Sequence, residues 1–327
     1  GVADALMQPA KTYLQIVGGF CILNALIPIC SSYLRAFGFS KEPLYASIIG
    51  NVINFCLNAF FLFVLHKGVA GVATATVISR IINLVIVVLL GAVLVKAKQH
   101  PERESNRAVM GQIIRIGLPS ACETAIYNVS MTLVIRFLNQ MDAQGLNVTA
   151  RSYTMQITNF SYCVGAALAQ ANAIMTGWHI GAKEYDACDR GTKKAAVIGV
   201  IVAVILETVF TLCSGWIMQL FSKDPQMVSL VGKLLAIDIV LEIGRVTNLV
   251  YGQALKTSGD AVFPVVMGAC FMILCSVGGT YLFGIRLGLL AVGAYIGMTG
   301  DECVRAVGMY LRWKSGKWKE KGLVKSR

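Results

Sequence analysis

Apolar residues dominate the chain in long runs. Nine of them, at 12–34, 43–65, 69–95, 111–138, 147–178, 192–220, 227–255, 262–284 and 287–311, are long enough to cross a bilayer, which takes about 20 predominantly apolar residues per helix. Short polar joints with turn chemistry separate them: Gly38 with Pro43, His66-Lys67-Gly68, Lys223-Asp224-Pro225 and Ser258-Gly259-Asp260. Backbone polar groups in lipid must be satisfied internally, so only helices and closed barrels span it. The runs are too long for barrel strands and lack their alternation of lipid-facing and lumen-facing residues. The pattern predicts an all-α, polytopic helical bundle in the lipid bilayer.

Composition agrees. Of 327 residues, 56% are hydrophobic and 14% charged, against about 45–50% and 25% in soluble domains. Such a chain cannot cover its surface with polar groups, which excludes an ordinary soluble enzyme and a disordered protein. The net charge is +12, but the positive residues lie mainly in the joints and the tail, so they point to orientation rather than to nucleic acid. One side collects Arg35, Lys41, Lys96, Lys98, Arg103, Arg107, Lys183, Arg190, Lys193, Lys194, Lys256 and the basic residues from Arg312 on; the other holds Lys11, Lys67, Lys223 and Arg286. The first is expected to be cytoplasmic, with the C-terminus, in the cell membrane. The ten cysteines are scattered and the three histidines isolated, so neither disulfides nor a metal site is expected. No GxxxxGK[ST] occurs, and no cofactor or P-loop ATP site is expected.

A repeat organises the spans. Leu34-Arg-Ala-Phe-Gly38 and Leu255-Lys-Thr-Ser-Gly259 each end a span and are offset by 221; the same offset pairs Pro43 with Pro264, and Gly68 pairs with Gly288 one residue short of it. Corresponding spans then make a six-helix unit. The chain divides into a partial N-terminal lobe of three helices, 1–98, and a six-helix C-terminal lobe with a basic tail, 108–327. The arithmetic predicts three further helices upstream, nine of twelve being present here, with the two lobes as parallel repeats.

Several segments resemble the multidrug and toxic compound extrusion (MATE) family: Ala10-Lys-Thr-Tyr-Leu14, Leu34-Arg-Ala-Phe-Gly38, Asn51-Val-Ile-Asn-Phe-Cys-Leu-Asn58, Gly68-Val-Ala-Gly-Val-Ala-Thr-Ala75 through Ser79-Arg80, Ile116-Gly-Leu-Pro-Ser120, Glu242-Ile-Gly-Arg-Val-Thr-Asn248, Ala254-Leu-Lys-Thr-Ser-Gly-Asp260 and Asp301-Glu-Cys-Val-Arg305. Their order covers essentially the whole chain. The resemblance implies two six-helix lobes facing each other in a V. It also implies export of organic, often cationic compounds in exchange for Na⁺ or H⁺. The coupling Asp that it implies on the first helix of the N-terminal lobe has no counterpart here: the spans within residues 1–95 contain no Asp or Glu.

Ionisable residues inside spans cost at least about 2.5–3.5 kcal/mol each on insertion scales and each needs a reason. Asp238, Glu242 and Arg245, spaced i, i+4, i+7 with Asn248 three further on, share one broad helix face. Two acids beside one Arg leave a negative site for a coupling ion or a cationic substrate; the alternative is a structural Glu242–Arg245 pair. Glu123, with Tyr127 and Asn128 a turn further on, is a second candidate for coupling. In one branch of the family the functional Glu of this helix lies near the position of Tyr127. The alternative for Glu123 is a carboxylate at a helix start, favoured by the dipole. Glu207 is expected to pair with an Arg of a neighbouring helix, the other reading being a second proton site. Asp301 and Arg305 are spaced for an ion pair. Arg136 and Arg151 are expected near the outer surface, where they can snorkel.

Asn51, Asn54 and Asn58 on one span, and Gln156, Asn159 and Gln170 on another, line the path or hold helices together. Tyr153, Met155 and Tyr162 line the path or fill the core. The function that fits is a secondary antiporter for small organic cations, a monomer, working by alternating access. A flippase for lipid-linked saccharides would need an unopposed cationic cavity, and a membrane-embedded enzyme a His, Asp or Ser constellation; the mid-membrane residues form neither.

Overall fold

A computed structural model describes residues 4–96, 106–141 and 145–321. Among these residues every regular element is helical. The chain forms two compact units, Gly1–Arg103 and Glu104–Arg327. The junction expected at 98–108 falls largely on residues outside the described set, as does the end of the tail.

The first unit holds α1 (Asp4–Gly19), α2 (Ile22–Ala36), α3 (Lys41–Ala59) and α4 (Gly68–Lys96). The run expected as one span at 12–34 is a broken pair, bent by 43° where α1 meets α2. Gly18 and Gly19 precede the break, and Phe20 and Cys21 donate to Val17 and Gly18 in tight three-residue turns. The loss of helix propensity at two glycines explains the site of the bend. α3 runs on through a π turn, Phe60–Val64. Small residues let α4 approach α3: a Cβ at Gly50 would lie 3.1 Å from that of Asn83. Leu34 of α2, Ala46 of α3, and Val87 and Val95 of α4 form the core of this unit.

The second unit contains α5 (Asn106–Met141), α6 (Leu146–Gly181), α7 (Tyr185–Leu212), the short α8 (Ser214–Met218), α9 (Pro225–Thr257), α10 (Val262–Phe271, continued by π turns to Arg286) and α11 (Leu290–Lys314). Asp224 caps α9 by accepting from the Gln226 N–H, with Pro225 at the first helical position. α9 is the central pillar, buried along most of its length against α6, α7 and α11. Gly165 of α6 and Gly199 of α7 both make room for Val246, and Gly244 lies against the α11 backbone at Glu302 and Cys303. α7 is sided: Ala196, Gly199, Ala203 and Glu207 face inward, while Val197, Ile201, Ile205 and Val209 are exposed, as a lipid-facing helix requires.

Among the described residues, four helices are long and apolar enough to cross a membrane, Lys41–Val64, Gly68–Val95, Tyr185–Leu212 and Val262–Arg286, and five if the bent α1–α2 pair counts as one span. The remaining long helices, α5, α6, α9 and α11, carry the polar and charged side chains and are correspondingly less apolar.

The repeat has a local structural counterpart. Gly38 and Gly259 both adopt left-handed φ, 89° and 93°, and Gly68 and Gly288 do so at 52° and 68°. A side chain at such angles is strained. π turns precede both members of the second pair.

At the end of the second unit, Asp260 in the α9–α10 joint accepts from Arg312 Nε and Lys321 Nζ, each at 2.6 Å. Burial pushes its carboxyl up, but the bonds from Arg312 and Lys321 outweigh it and hold the group below the ordinary aspartate value. Trp313 and Trp318 stack at 4.1 Å, and the Trp313 indole donates to Asp189.

Candidate functional site

The second unit carries a partly open cavity of about 450 Å³. α5, α6, α9, α10 and α11 supply its walls. Its charged lining is balanced: Glu123, Asp238, Asp301 and Glu302 against Arg151, Arg245, Lys256 and Arg305. Met155, Tyr162, Met272 and Met298 give it the pliable apolar surface suited to organic compounds of varied shape.

Three pairs organise the charges. Lys256 Nζ donates to Glu123 Oε2 at 2.6 Å, from α9 to α5. Arg305 donates to both Asp301 oxygens, at 2.8 and 2.9 Å, and lies 2.8 Å from Glu302. Ser276 adds a bond to Asp301. Arg245 bonds Glu242 through Nη1 and stands 4.0 Å from Glu302 through Nε. Asn248 also donates to Glu302, at 3.0 Å. The four residues read on one face of α9 therefore act as a group, with Glu302 of α11 as a partner that spacing along α9 could not supply.

Glu242 is not at the cavity wall. It is fully buried behind it. There it meets Asp238 from its own helix and Glu207 from α7, one oxygen of each lying within 4.8 Å of the others. Arg245 answers one Glu242 oxygen. Among the described residues, the second Glu242 oxygen, Asp238 Oδ2 and both Glu207 oxygens have no well-aligned hydrogen-bond partner, the Ser161 hydroxyl lying beside Glu207. Among the described residues, the expected pairing of Glu207 with an Arg is thus not formed. α7 presents Glu207 to the acidic face of α9, a relation that depends on how the two helices are rotated against each other.

Two further expectations are corrected. Glu123 is well inside α5, which begins at Asn106, so the dipole of a helix start does not account for it. Pro119 sits within the same helix, and Ser120 returns its hydroxyl to the Ile116 carbonyl. Arg151 does not snorkel: it is 6% exposed and lines the cavity, with its Nη2 3.6 Å from Met131 Sδ.

Tyr127 and Asn159 line the cavity, whereas Asn128, Gln156 and Gln170 are exposed and lie outside it. Asn128 donates to Thr124 of its own helix. In the first unit Asn51 is exposed; Asn54 donates to Ser79 of α4 and receives from Asn58, which ties α3 to α4. Tyr153 packs in the core against Phe221, unlike Met155 and Tyr162.

Comparison with known proteins bears on the whole chain. The MatE family matches residues 1–60 and 119–282. A relative named an uncharacterized transporter, YisQ of Bacillus subtilis, is 34% identical over 99% of this chain and 72% of its own length. A probable multidrug resistance protein, NorM of Thermotoga maritima, is 22% identical over 96% of this chain and 68% of its own length. A crystal structure of MATE in the straight conformation superimposes with a TM-score of 0.84 at 19% identity, covering 97% of this chain and 72% of that one. The MATE transporter ClbM in complex with Rb⁺ gives 0.74 at 17% identity, covering 88% and 64%. With the family matched over more than half of its length and a transporter over nearly all of it, the chain belongs to the MatE (multidrug and toxic compound extrusion) family: it is a multi-pass membrane transporter, not an enzyme.

Proposed function

We propose that this transporter exports organic, mostly cationic compounds in exchange for Na⁺ or H⁺ by alternating access. The observation that carries the reading is the juxtaposition of a Met- and Tyr-lined cavity with carboxylates that outnumber their basic partners once Glu207 and Glu242 behind the wall are counted. A region of net negative charge in a low-dielectric surround attracts cations, and it is most stable when one is present. Substrate and coupling ion are then alternative ways of meeting the same charge. Glu123, Asp238 and Glu242 are the acids assigned to coupling, with Arg245 and Asn248 setting their electrostatics, and Tyr127 flanking the substrate.

Relatives lend support. NorM of Thermotoga maritima carries a multidrug resistance name, and the structural neighbour ClbM is described as a complex with the monovalent cation Rb⁺. The basic joints support a cell-membrane protein with its C-terminus in the cytoplasm, acting as a monomer.

Efflux of ethidium from cells expressing the complete gene tests the proposal. Export that depends on a Na⁺ or H⁺ gradient and is impaired by Asp238→Asn and Glu123→Gln is expected. Absence of export, or export unchanged by both substitutions, would overturn it.

A further inference from the structure

Among the described residues, three of the four basic side chains on the cavity wall have an acid to answer them. Lys256 bonds Glu123, Arg305 bonds Asp301 and Glu302, and Arg245 bonds Glu242. Arg151 is the exception. No carboxylate of the described residues comes within ion-pair distance of it, Asp238 of the same wall included. Its Nε has no partner among them, and its Nη2 meets the Met131 sulfur at 3.6 Å. A thioether is a weak acceptor. The residue is 6% exposed, and a guanidinium does not escape burial by losing its proton. A charge so placed needs a counter-charge.

The surroundings say of what kind. α6 joins the cavity wall at Arg151 and α11 at Tyr295, each in its second turn, while α5 leaves it at Met131. The starts of α6 and α11 meet there, Asn147 Oδ1 accepting from the Ala291 N–H. Helix starts carry partial positive charge, so the backbone at this end adds to the charge of Arg151 instead of meeting it. Next along the wall come Met155 and Thr158 on α6 and Met298 on α11. Methionine and tyrosine suit flat or greasy bodies of varied shape. The unmet edge of the guanidinium, Nε with Nη2, is one that takes a carboxylate through two parallel bonds. Met131 stands at that edge with an unbranched side chain that repacks readily.

We infer that Arg151 forms a carboxylate-binding subsite at one end of the cavity, which takes the acidic group of an organic compound with an aromatic or aliphatic body. The carboxylate replaces the Met131 sulfur at Nη2 and meets Nε beside it. The body of the compound lies along Tyr295 and the methionines of the wall. Arg245, Lys256 and Arg305 are engaged by acids, so Arg151 is the side chain that selects for the acidic group. As a binding site the subsite stands on this geometry alone; as part of a transport path it rests on the export reading above.

Equilibrium dialysis of the detergent-purified protein with 2-naphthoate tests the subsite, with 2-naphthamide as the same body without the charge. Naphthoate is expected to bind saturably and about tenfold more tightly than the amide, the scale of a hydrogen bond to a charged group. In Arg151→Met the preference should disappear. A native protein that does not prefer naphthoate overturns the subsite, as does a preference kept in Arg151→Met. Thermal unfolding gives a second readout. A buried charge without a partner weakens the fold, so Arg151→Met is expected to raise the unfolding temperature, whereas naphthoate should raise that of the native protein alone. A variant that is less stable than the native protein, or that fails to fold, means that the guanidinium is already paired, and overturns the subsite. A protein that binds naphthoate through Arg151 yet exports no ethidium keeps this subsite and loses the export reading; export by a protein with no preference for the carboxylate does the reverse.

Discussion

Lys256 donates to Glu123 at 2.6 Å across 133 residues of sequence, joining α9 to α5 at the cavity wall. Both side chains are mostly buried, so the pair is shielded from solvent more than a surface bridge would be. Within an ion pair, Glu123 is not available to a cationic substrate. Removing the lysine charge by Lys256→Gln is expected to tighten tetraphenylphosphonium binding about tenfold, equivalent to about 1.4 kcal/mol. Glu123→Gln is expected to weaken it. Equilibrium binding to the two variants and to their combination measures the coupling; a substrate affinity indifferent to Lys256 would exclude Glu123 as a substrate contact.

Gly244 faces the α11 backbone so closely that a Cβ would lie 2.9 Å from Cys303 N and from the Glu302 carbonyl carbon. Backbone cannot turn aside as a side chain can. Gly244→Ala is expected to cost about 1–3 kcal/mol through overpacking and to lower the unfolding temperature in detergent. Gly300→Ala, on α11 with no atom within 4 Å of the added carbon, provides the contrast. It should be neutral or stabilising by up to about 1 kcal/mol through helix propensity.

Asp301 and Arg305 form a buried pair completed by Ser276 and Glu302. Arg305→Met strands Asp301, which is 2% exposed, and is expected to destabilise by about 3–5 kcal/mol. Adding Asp301→Asn should recover part of the loss, since the stranded charge is then gone. Thermal unfolding of the single and double variants decides the matter. Equal losses in both would mean that packing, not charge, holds this part of α11.

The Asp260 carboxyl is held below its ordinary value by Arg312 and Lys321. A depressed acid stabilises the fold above its unfolded pKa, about 3.9, and loses that contribution as the pH falls through the folded value. Asp260→Asn is therefore expected to lower stability by about 1–3 kcal/mol at pH 7, the range for a lost charged hydrogen bond and its stranded partner. The difference from the native protein should shrink as the pH is taken below about 4. Unfolding midpoints of both proteins from pH 7 to pH 3 provide the measurement, and a difference independent of pH would contradict the assignment.

Much of the molecule is legible before folding. The apolar runs become helices because a backbone in lipid must bond to itself, and the repeat offset reappears as paired glycines with left-handed φ, Gly38 with Gly259 and Gly68 with Gly288. The Asp301–Arg305 pair follows from i, i+4 spacing alone. The bend between α1 and α2 was hidden because apolar character runs straight through Gly18 and Gly19. The place of Arg151 along its span gives its depth but not whether it faces lipid or protein; it faces the cavity.

Sequence by itself determined that this chain is a helical membrane protein, that it resembles the family it belongs to, and that Asp238, Glu242, Arg245 and Asn248 share a face. These are consequences of hydropathy and of the helical period, both local properties. Only the tertiary structure decided that Glu207 completes an acidic triad, that Glu302 rather than another residue answers Asn248, and that Glu123 is held by Lys256. Each depends on the rotation and approach of separate helices. That is fixed by packing over many small residues, such as Gly165 and Gly199 against Val246, and no single spacing along the chain encodes it.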